Sequence, residues 1–330
     1  SEEYLLHRTP DGNRYWITLT GLTPQEEYTF QYLVDGAVRI GDPYSDKILH
    51  RFDDPYIPES TYPGLIPFPT QVQGNVVSVL QTGQVPYEWQ TTGYVRPDQT
   101  NLVIYELLLR DFLGKHDFAT LVDTLDYLQN LGINAIELMP ILEFEGNISW
   151  GYNPMYFLAP DKYYGPKNDL KHFIDECHSR GIAVIFDMVL NHAFGQCALM
   201  QLYPNINENP YFNAVATHPF NVGFDFNHES PATQYFVDRV NRYWLEEFRF
   251  DGYRFDLSKG FTQTNSGSNV GAWGNYDASR VALLKRMADQ IWLYEPGAYI
   301  ILEHFAANNE EIELSNYGMM LWGNMTHTYN

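Results

Sequence analysis

Hydrophobic and polar positions follow two different patterns along the chain. Up to residue 95 the apolar residues fall in short runs rich in β-branched and aromatic side chains, at 14–20, 28–34 and 75–80. Turn-forming pairs such as Asp35-Gly36 separate these runs, and no helical period is present. The pattern predicts a small all-β, immunoglobulin-like sandwich domain over residues 1–95.

From residue 96 onward, apolar runs alternate with amphipathic segments. Six runs are apolar enough to predict buried strands, at 101–109, 134–141, 182–190, 250–257, 299–305 and 318–322. Several are separated by segments whose apolar residues lie three and four positions apart, which predicts helices. Strands alternating with helices predict a parallel sheet covered by helices, and both a (β/α)8 barrel and an open doubly wound sheet fit. No Gly-x-Gly-x-x-Gly follows a strand, which disfavours dinucleotide binding.

Polar residues at the ends of the predicted strands favour the barrel. Those that close the third, fourth and fifth strands are Asp187, Asn191, His192, Arg254, Asp256 and Glu303. Barrel enzymes draw their catalytic groups from several strands at this rim. A closed barrel needs eight strands and only six are predicted. We therefore expect an incomplete TIM-type (β/α)8 barrel as the catalytic domain over residues 96–330, with the chain stopping before the last two strands.

Asp256 and Glu303 are the strongest candidates for catalysis. Glycoside hydrolysis uses a pair of carboxylates, one as nucleophile or base and one as proton donor. Arg254 lies two positions before Asp256, so on a strand its guanidinium would point to the same side and hold Asp256 ionised. The same spacing fits a purely structural ion pair, and Glu303 could equally cap a helix.

Composition excludes several classes of function. The chain has 20 Lys and Arg against 41 Asp and Glu, a formal charge of −21, which disfavours binding to nucleic acid or an anionic membrane. No uninterrupted apolar run approaches the ~20 residues of a membrane-spanning helix. Two cysteines, Cys177 and Cys197, exclude a disulfide framework and four-thiolate metal sites but leave one bridge open. Aromatic residues reach 16%, which suits a core and also stacking on sugars.

Four motifs resemble those of the α-amylase family of glycoside hydrolases. They are Trp150-Gly-Tyr152-Asn153-Pro154, Asp187-Met-Val-Leu-Asn191-His192, the run 250–261 with Arg254 and Asp256, and Ile301-Leu-Glu303-His304. The first is similar to a loop of branching enzymes, isoamylases and neopullulanases. The N-terminal part, with Tyr32-Leu-Val-Asp-Gly, resembles the starch-binding-type β-sandwich that precedes many such barrels.

The resemblance implies an enzyme, a retaining glycoside hydrolase acting on α-1,4-glucans such as starch, glycogen and maltooligosaccharides, with no organic cofactor. It makes Asp256 the nucleophile and Glu303 the general acid/base, with Arg254 orienting Asp256. Asp187 would fix the hydrogen bonds of the site. The other substrate-binding residues that it implies are Trp150, Tyr152, His192, Lys259 and Phe261, the last two on the leaving-group side. Tyr152 could also be a core residue, and Lys259 a solvated loop lysine.

A calcium ion is left open by the resemblance, with Asn191 and Asp225 as oxygen ligands. His218 and His228 lie in the same predicted loop without recognisable metal-ligand spacing. We expect both to be ordinary surface histidines.

One departure concerns a third carboxylate, which the family carries on a His-Asp motif after the seventh strand. No such motif follows Glu303, since His327 is followed by Thr328. We therefore expect this chain to bind glucan with little or no turnover. Two alternatives stay open: a branching or debranching enzyme of the same family, and a non-catalytic glucan-binding protein.

The expected partner is an α-glucan polysaccharide or oligosaccharide, with no nucleic acid and no membrane span. Oligomeric state does not follow from the sequence. The chain begins with Ser1 rather than Met, which tips the expected location toward secreted or periplasmic. Its acidic charge suits a cytoplasmic glycogen enzyme equally.

Overall fold

The computed structural model describes residues 2–220 and 222–323. The described N-terminal strands are β1 (His7–Arg8), β2 (Tyr15–Trp16), β3 (Glu27–Phe30), β4 (Tyr32–Val34), β5 (Val38–Ile40), β6 (Ile48–His50) and β7 (Val76–Gln81). They pair antiparallel, β1 with β2, β4 with β5, and β7 between β3 and β6. The predicted run 28–34 divides between β3 and β4, which lie in different sheets. The all-β character predicted here is confirmed in the form of separate antiparallel sheets.

The two faces of the three-stranded sheet are covered by different parts of the chain. Ile48 and Val76 pack against Met155 and Ala198, beyond residue 95. Leu49 and Val77, on the other face, pack under apolar residues of the segment 65–72. Contacts of the first face therefore fix this sheet against the second part of the chain.

The described strands beyond residue 95 are β8 (Ile104–Leu107), β9 (Ala135–Leu138), β10 (Leu142–Phe144), β11 (Pro154–Pro160), β12 (Ala183–Met188), β13 (His192–Ala193), β14 (Phe224–Asp225), β15 (Gly252–Phe255), β16 (Tyr299–Leu302) and β17 (Met320–Leu321). One parallel sheet runs β8-β9-β12-β15-β16-β17 and contains each of the six predicted strands. Neighbours in this sheet follow chain order, as in a barrel. The prediction of an incomplete (β/α) barrel is confirmed as a six-stranded half-barrel.

Helices lie between most of these strands. They are α1 (Leu109–Phe112), α2 (Phe118–Leu121), α3 (Leu125–Asn130), α4 (Lys167–Ser179), α5 (Ala198–Leu202), α6 (Pro231–Phe248), α7 (Val270–Trp273), α8 (Ala278–Tyr294) and α9 (Asn308–Tyr317). Helix α6 begins after Ser230, whose side chain accepts a hydrogen bond from the Ala232 N–H, and Pro231 suits its first turn. Asp277 caps α8 in the same way, accepting from Ser279 and Arg280.

Alternating positions of the parallel strands divide the core from the site. One set, including Val184, Phe186 and Leu302, packs in the large cluster under the helices. The other set forms a small apolar layer of Ala135, Ala183, Ile185, Tyr299 and Ile301. Because side chains on a strand alternate between faces, Glu137, Asp187 and Glu303 share the face of this second set. A polar layer therefore lies above it at the carboxyl ends of the strands.

Two short antiparallel pairs lie outside the six predicted strands. Strand β10 pairs with β11, and β13 pairs with β14.

Cys177 and Cys197 are both buried and free, so the bridge left open by the sequence is not formed. Among the described residues, no helix combines the length and the apolar character needed to cross a membrane.

Candidate active site

Arg254 on β15 lies at the centre of the polar layer. Its Nη1 is 2.7 Å from Asp187 Oδ1 and 3.1 Å from Asp256 Oδ1, and its Nη2 is 3.2 Å from Glu303 Oε1. A planar guanidinium suits such a task because it offers several donors in a fixed fork. The structure thus brings together Asp187, Arg254, Asp256 and Glu303, four of the six polar residues that the sequence placed at the ends of β12, β15 and β16.

Burial dominates the charge state of Asp256. It raises the pKa of Asp256 to about 7, and the Asp187 and Glu303 carboxylates add to the rise while Arg254 opposes it. Burial likewise raises the pKa of Asp187 to about 6 against the effect of Arg254. Arg254 therefore favours the ionised form of Asp256, but it limits the rise in pKa without reversing it.

Glu303 is tied to the segment that follows Asp256. Its Oε2 accepts a hydrogen bond from the Leu257 N–H at 3.1 Å, and its carbonyl accepts from the Ser258 N–H at 3.0 Å and the Ser258 hydroxyl at 2.9 Å. Leu257 has a φ of 46°, a left-handed conformation that is costly for a branched side chain. That strained turn aims its N–H at the carboxylate.

Tyr152 and His192 lie beside this group. The Tyr152 hydroxyl donates to Asp187 Oδ2 at 2.6 Å, and the His192 Nε2–H donates to the Tyr152 carbonyl at 2.8 Å. Trp150, from the same motif, is 56% exposed. The loop after β9 therefore supplies one side chain to the polar layer and one to the surface.

Lys259 and Phe261 are both buried. Lys259 is buried, donates from Nζ to the Phe305 carbonyl at 2.9 Å and lies 4.0 Å above the Trp273 ring centroid, so the solvated alternative is wrong. Phe261 is 1% exposed and stacks on His228 at 3.8 Å between ring centroids. It lies in the core behind the site rather than on the leaving-group side of a cleft, because its ring is the partner of a buried histidine.

His218 and His228 are both buried, so the prediction of surface histidines is wrong. The His228 Nε2–H donates to the Leu190 carbonyl at 2.9 Å. His218 lies with the two residues predicted as calcium ligands: its Nε2 is 3.4 Å from Asp225 Oδ1. Loops carry no periodic pattern, so the sequence did not reveal this burial.

Glu106 and Glu137 are site residues that the sequence analysis missed. Their carboxylates lie with that of Asp187, one oxygen of each within 4.8 Å of the others, a grouping that could hold a metal ion. Glu137 is fully buried, and neither of its oxygens has a hydrogen bond among the described residues. Burial raises its pKa to about 8, although Arg254 Nε is 3.8 Å away. The signal was an acidic residue inside an apolar run, in both β8 and β9.

A second missed group lies directly behind Glu303. His304 Nδ1 is 2.9 Å from the Ser258 hydroxyl and its Nε2 is 2.7 Å from Glu310 Oε1. Arg280 also binds Glu310, with Nε 2.6 Å from Oε1. His304, Glu310 and Arg280 are all buried. The Ser258 hydroxyl, which binds the Glu303 carbonyl, is therefore held by a buried network whose members are hydrogen-bonded to one another.

Comparison with known proteins agrees with this architecture. Residues 99–222 match the model of the α-amylase catalytic domain. Malto-oligosyltrehalose trehalohydrolase of Saccharolobus solfataricus is 34% identical over 171 residues, which cover 52% of this chain and 30% of that protein. The 1,4-alpha-glucan branching enzyme GlgB of Aliivibrio fischeri is 29% identical over 238 residues, or 67% of this chain and 33% of that protein.

A solved structure extends the similarity to most of the chain. The putative α-amylase from Salmonella typhimurium superimposes with a TM-score of 0.66 and 25% identity, covering 91% of this chain and 44% of that one. The chain spans about a third of the length of the curated relatives named above. The half-barrel and the order of its motifs agree with these matches: residues 99–222 match the α-amylase catalytic domain, and the rest of the half-barrel is similar to members of that family of glycoside hydrolases.

Proposed function

We propose that this chain carries the nucleophile and the acid/base of a retaining glycoside hydrolase that acts on α-1,4-glucans. One observation carries the proposal: a single guanidinium, that of Arg254, holds Asp256 through Nη1 and Glu303 through Nη2. Retaining enzymes keep their two carboxyl groups about 5–5.5 Å apart, too close for a water between them. A guanidinium shared between residues on neighbouring strands supports such an arrangement.

The reaction follows from the two carboxylates. Asp256 attacks the anomeric carbon while Glu303 donates a proton to the departing glycosidic oxygen, which breaks that bond and leaves a covalent glycosyl-enzyme. Glu303 then takes a proton from a water whose oxygen attacks the same carbon and frees Asp256. Asp256 must be ionised to attack, whereas Glu303 must hold a proton at the first step.

Polar and aromatic side chains beside the two carboxylates would contact the sugar. Tyr152 and Asp187 are hydrogen-bonded to each other, and His192 is fixed by the Tyr152 carbonyl. These contacts hold the rings in place before substrate arrives, which is the condition for effective positioning. The reaction requires no organic cofactor.

Transfer rather than hydrolysis is the second candidate. If a glucan hydroxyl replaces water at the second step, the same residues form a branch. The similarity to a 1,4-alpha-glucan branching enzyme supports this candidate. A shift in iodine staining without new reducing ends would identify transfer, whereas new reducing ends identify hydrolysis.

The experiment uses two substrates that differ in their need for acid. Amylose needs a proton on its leaving oxygen, but α-maltosyl fluoride does not, since fluoride departs unaided. We expect wild type to release fluoride well and reducing sugar from amylose poorly. Asp256→Asn should lose fluoride release. Glu303→Gln is the matched control, and it should still release fluoride in the first step, because that step needs no proton from Glu303.

Mass spectrometry of the peptide that contains Asp256 completes the test. A 5-fluoro-α-maltosyl fluoride should add one glycosyl group to wild type and none to Asp256→Asn. Equal fluoride release by wild type and Asp256→Asn would refute the proposal. Amylose binding with no fluoride release from any form would identify the non-catalytic alternative. His327 and Thr328, on which the expectation of weak turnover rests, lie outside the described residues.

A further inference from the structure

His218 lies where the family resemblance suggests a calcium ion. Its side chain is fully buried, with Nε2 at 3.4 Å from Asp225 Oδ1. The ring stacks on Trp273, with 5.1 Å between centroids and 11° between planes. A Cβ at Gly260 would overlap Asn191 Oδ1 and lie 2.9 Å from His218 Nε2, so the amide oxygen and the ring nitrogen converge on Gly260.

Three of these buried atoms have no hydrogen-bond partner among the described residues. They are Asn191 Oδ1, Asp225 Oδ1 and His218 Nε2, and the other ring nitrogen, His218 Nδ1, also has no partner among the described residues. Buried polar atoms nearly always have a hydrogen-bond or metal partner, so we expect a group that binds these three atoms. Two groups fit such a place: a cation bound by all three atoms, or the proton on the imidazole nitrogen facing the two oxygens.

The donor set does not suit calcium. This hard cation takes six to eight oxygen ligands. Asp225 Oδ2 already accepts from Asn213 Nδ2 at 2.9 Å and from the Thr217 N–H at 3.1 Å. The side chains therefore offer two free oxygens, and the third atom facing them is a nitrogen.

We propose that the imidazole of His218 takes the place of this calcium ion and joins Asn191 to Asp225 without a metal. Asn191 follows β12, Asp225 belongs to β14, and Gly260 lies four residues beyond Asp256. The ring therefore fixes the loop after β12 to the segment after the nucleophile. Gly260 belongs to the same arrangement, because any side chain there would displace the amide or the ring.

The first measurement is thermal unfolding of the wild-type chain in ~5 mM EDTA and in ~5 mM calcium, manganese or zinc chloride. We expect the Tm values to agree within about 1 °C. An ion whose Kd is about a hundredth of its concentration would raise Tm by about 3 °C or more. A rise of that size with any of the three ions that persists in Glu137→Gln would overturn the proposal, because Glu106, Glu137 and Asp187 form a separate group that could hold an ion. The readout does not depend on glucan hydrolysis, so it stands whether or not the proposed function holds.

His218→Asp shows whether His218 is the group that replaces the ion. It removes the ring and adds a carboxylate, so we expect calcium to raise its Tm by about 3 °C or more, or to restore a fold lost in EDTA. His228→Ala is the matched control, since it also empties a buried ring position in this loop. It should lose stability without gaining a calcium response. A folded His218→Asp chain that ignores calcium would overturn the assignment, and if that variant does not fold under either condition the wild-type measurement decides.

Discussion

Replacing Glu137 by Gln should change how stability depends on pH. Glu137 is fully buried, with no hydrogen bond to either oxygen, and burial raises its pKa to about 8 in the folded chain. In the unfolded chain the same group has a pKa of about 4.3. The folded state therefore binds the Glu137 proton more tightly than the unfolded state does. The contribution of this proton to stability is complete below the pKa of Glu137 in the unfolded chain, and it is lost as pH rises through about 8.

The magnitude follows from the two pKa values. Between pH 5.5 and pH 8.5 the wild-type chain should lose about 3 kcal/mol of unfolding free energy through this group alone. Glutamine keeps the shape and cannot ionise, so Glu137→Gln should lose about 3 kcal/mol less over the same interval. Asp256 and Asp187 also titrate with raised pKa values, but they are common to both proteins and largely cancel.

Urea unfolding at the two pH values measures this difference. The exposed Glu229→Gln is the matched control, because it makes the same chemical change at the surface, and it should follow wild type. If Glu137→Gln and wild type lose the same free energy between pH 5.5 and pH 8.5, Glu137 is ionised in the folded chain. Burial would then not be keeping Glu137 protonated.

Three further results are expected. Gly252→Ala should cost about 3 kcal/mol or more in urea unfolding, because a Cβ there would overlap the Tyr299 backbone on the neighbouring strand; a stable variant would contradict the close approach. Arg254→Lys should lower fluoride release from α-maltosyl fluoride about 100-fold, because one ammonium cannot hold Asp256 and Glu303 as a fork does; unchanged release would contradict it. Fluoride release should fall as pH drops below about 7, where Asp256 takes up its proton; a flat pH profile from 5 to 8 would contradict it.

The half-barrel could be predicted from the sequence because buried parallel strands are almost continuously apolar. A charged residue at the end of such a run stands out, which is why Arg254, Asp256 and Glu303 were found. Glu137 was not, since it lies inside a run and its role depends on which strands are neighbours. The burial of His218 and Phe261 could not be predicted either, because loop packing leaves no period in the sequence.

The three hydrogen bonds between Glu303 and residues 257–258 bear on the tolerance of the site to thermal motion. Neighbouring strands of a sheet move slightly relative to one another. In a site assembled from two strands, the distance between the two carboxylates would therefore normally vary. Here the carboxylate on β16 is fastened to the residues that immediately follow Asp256. A displacement of one strand end therefore carries both carboxylates with it. These bonds therefore restrain the gap between the two carboxylates when the strand ends move, while the contact of Arg254 with Asp187 restrains their position on the half-barrel.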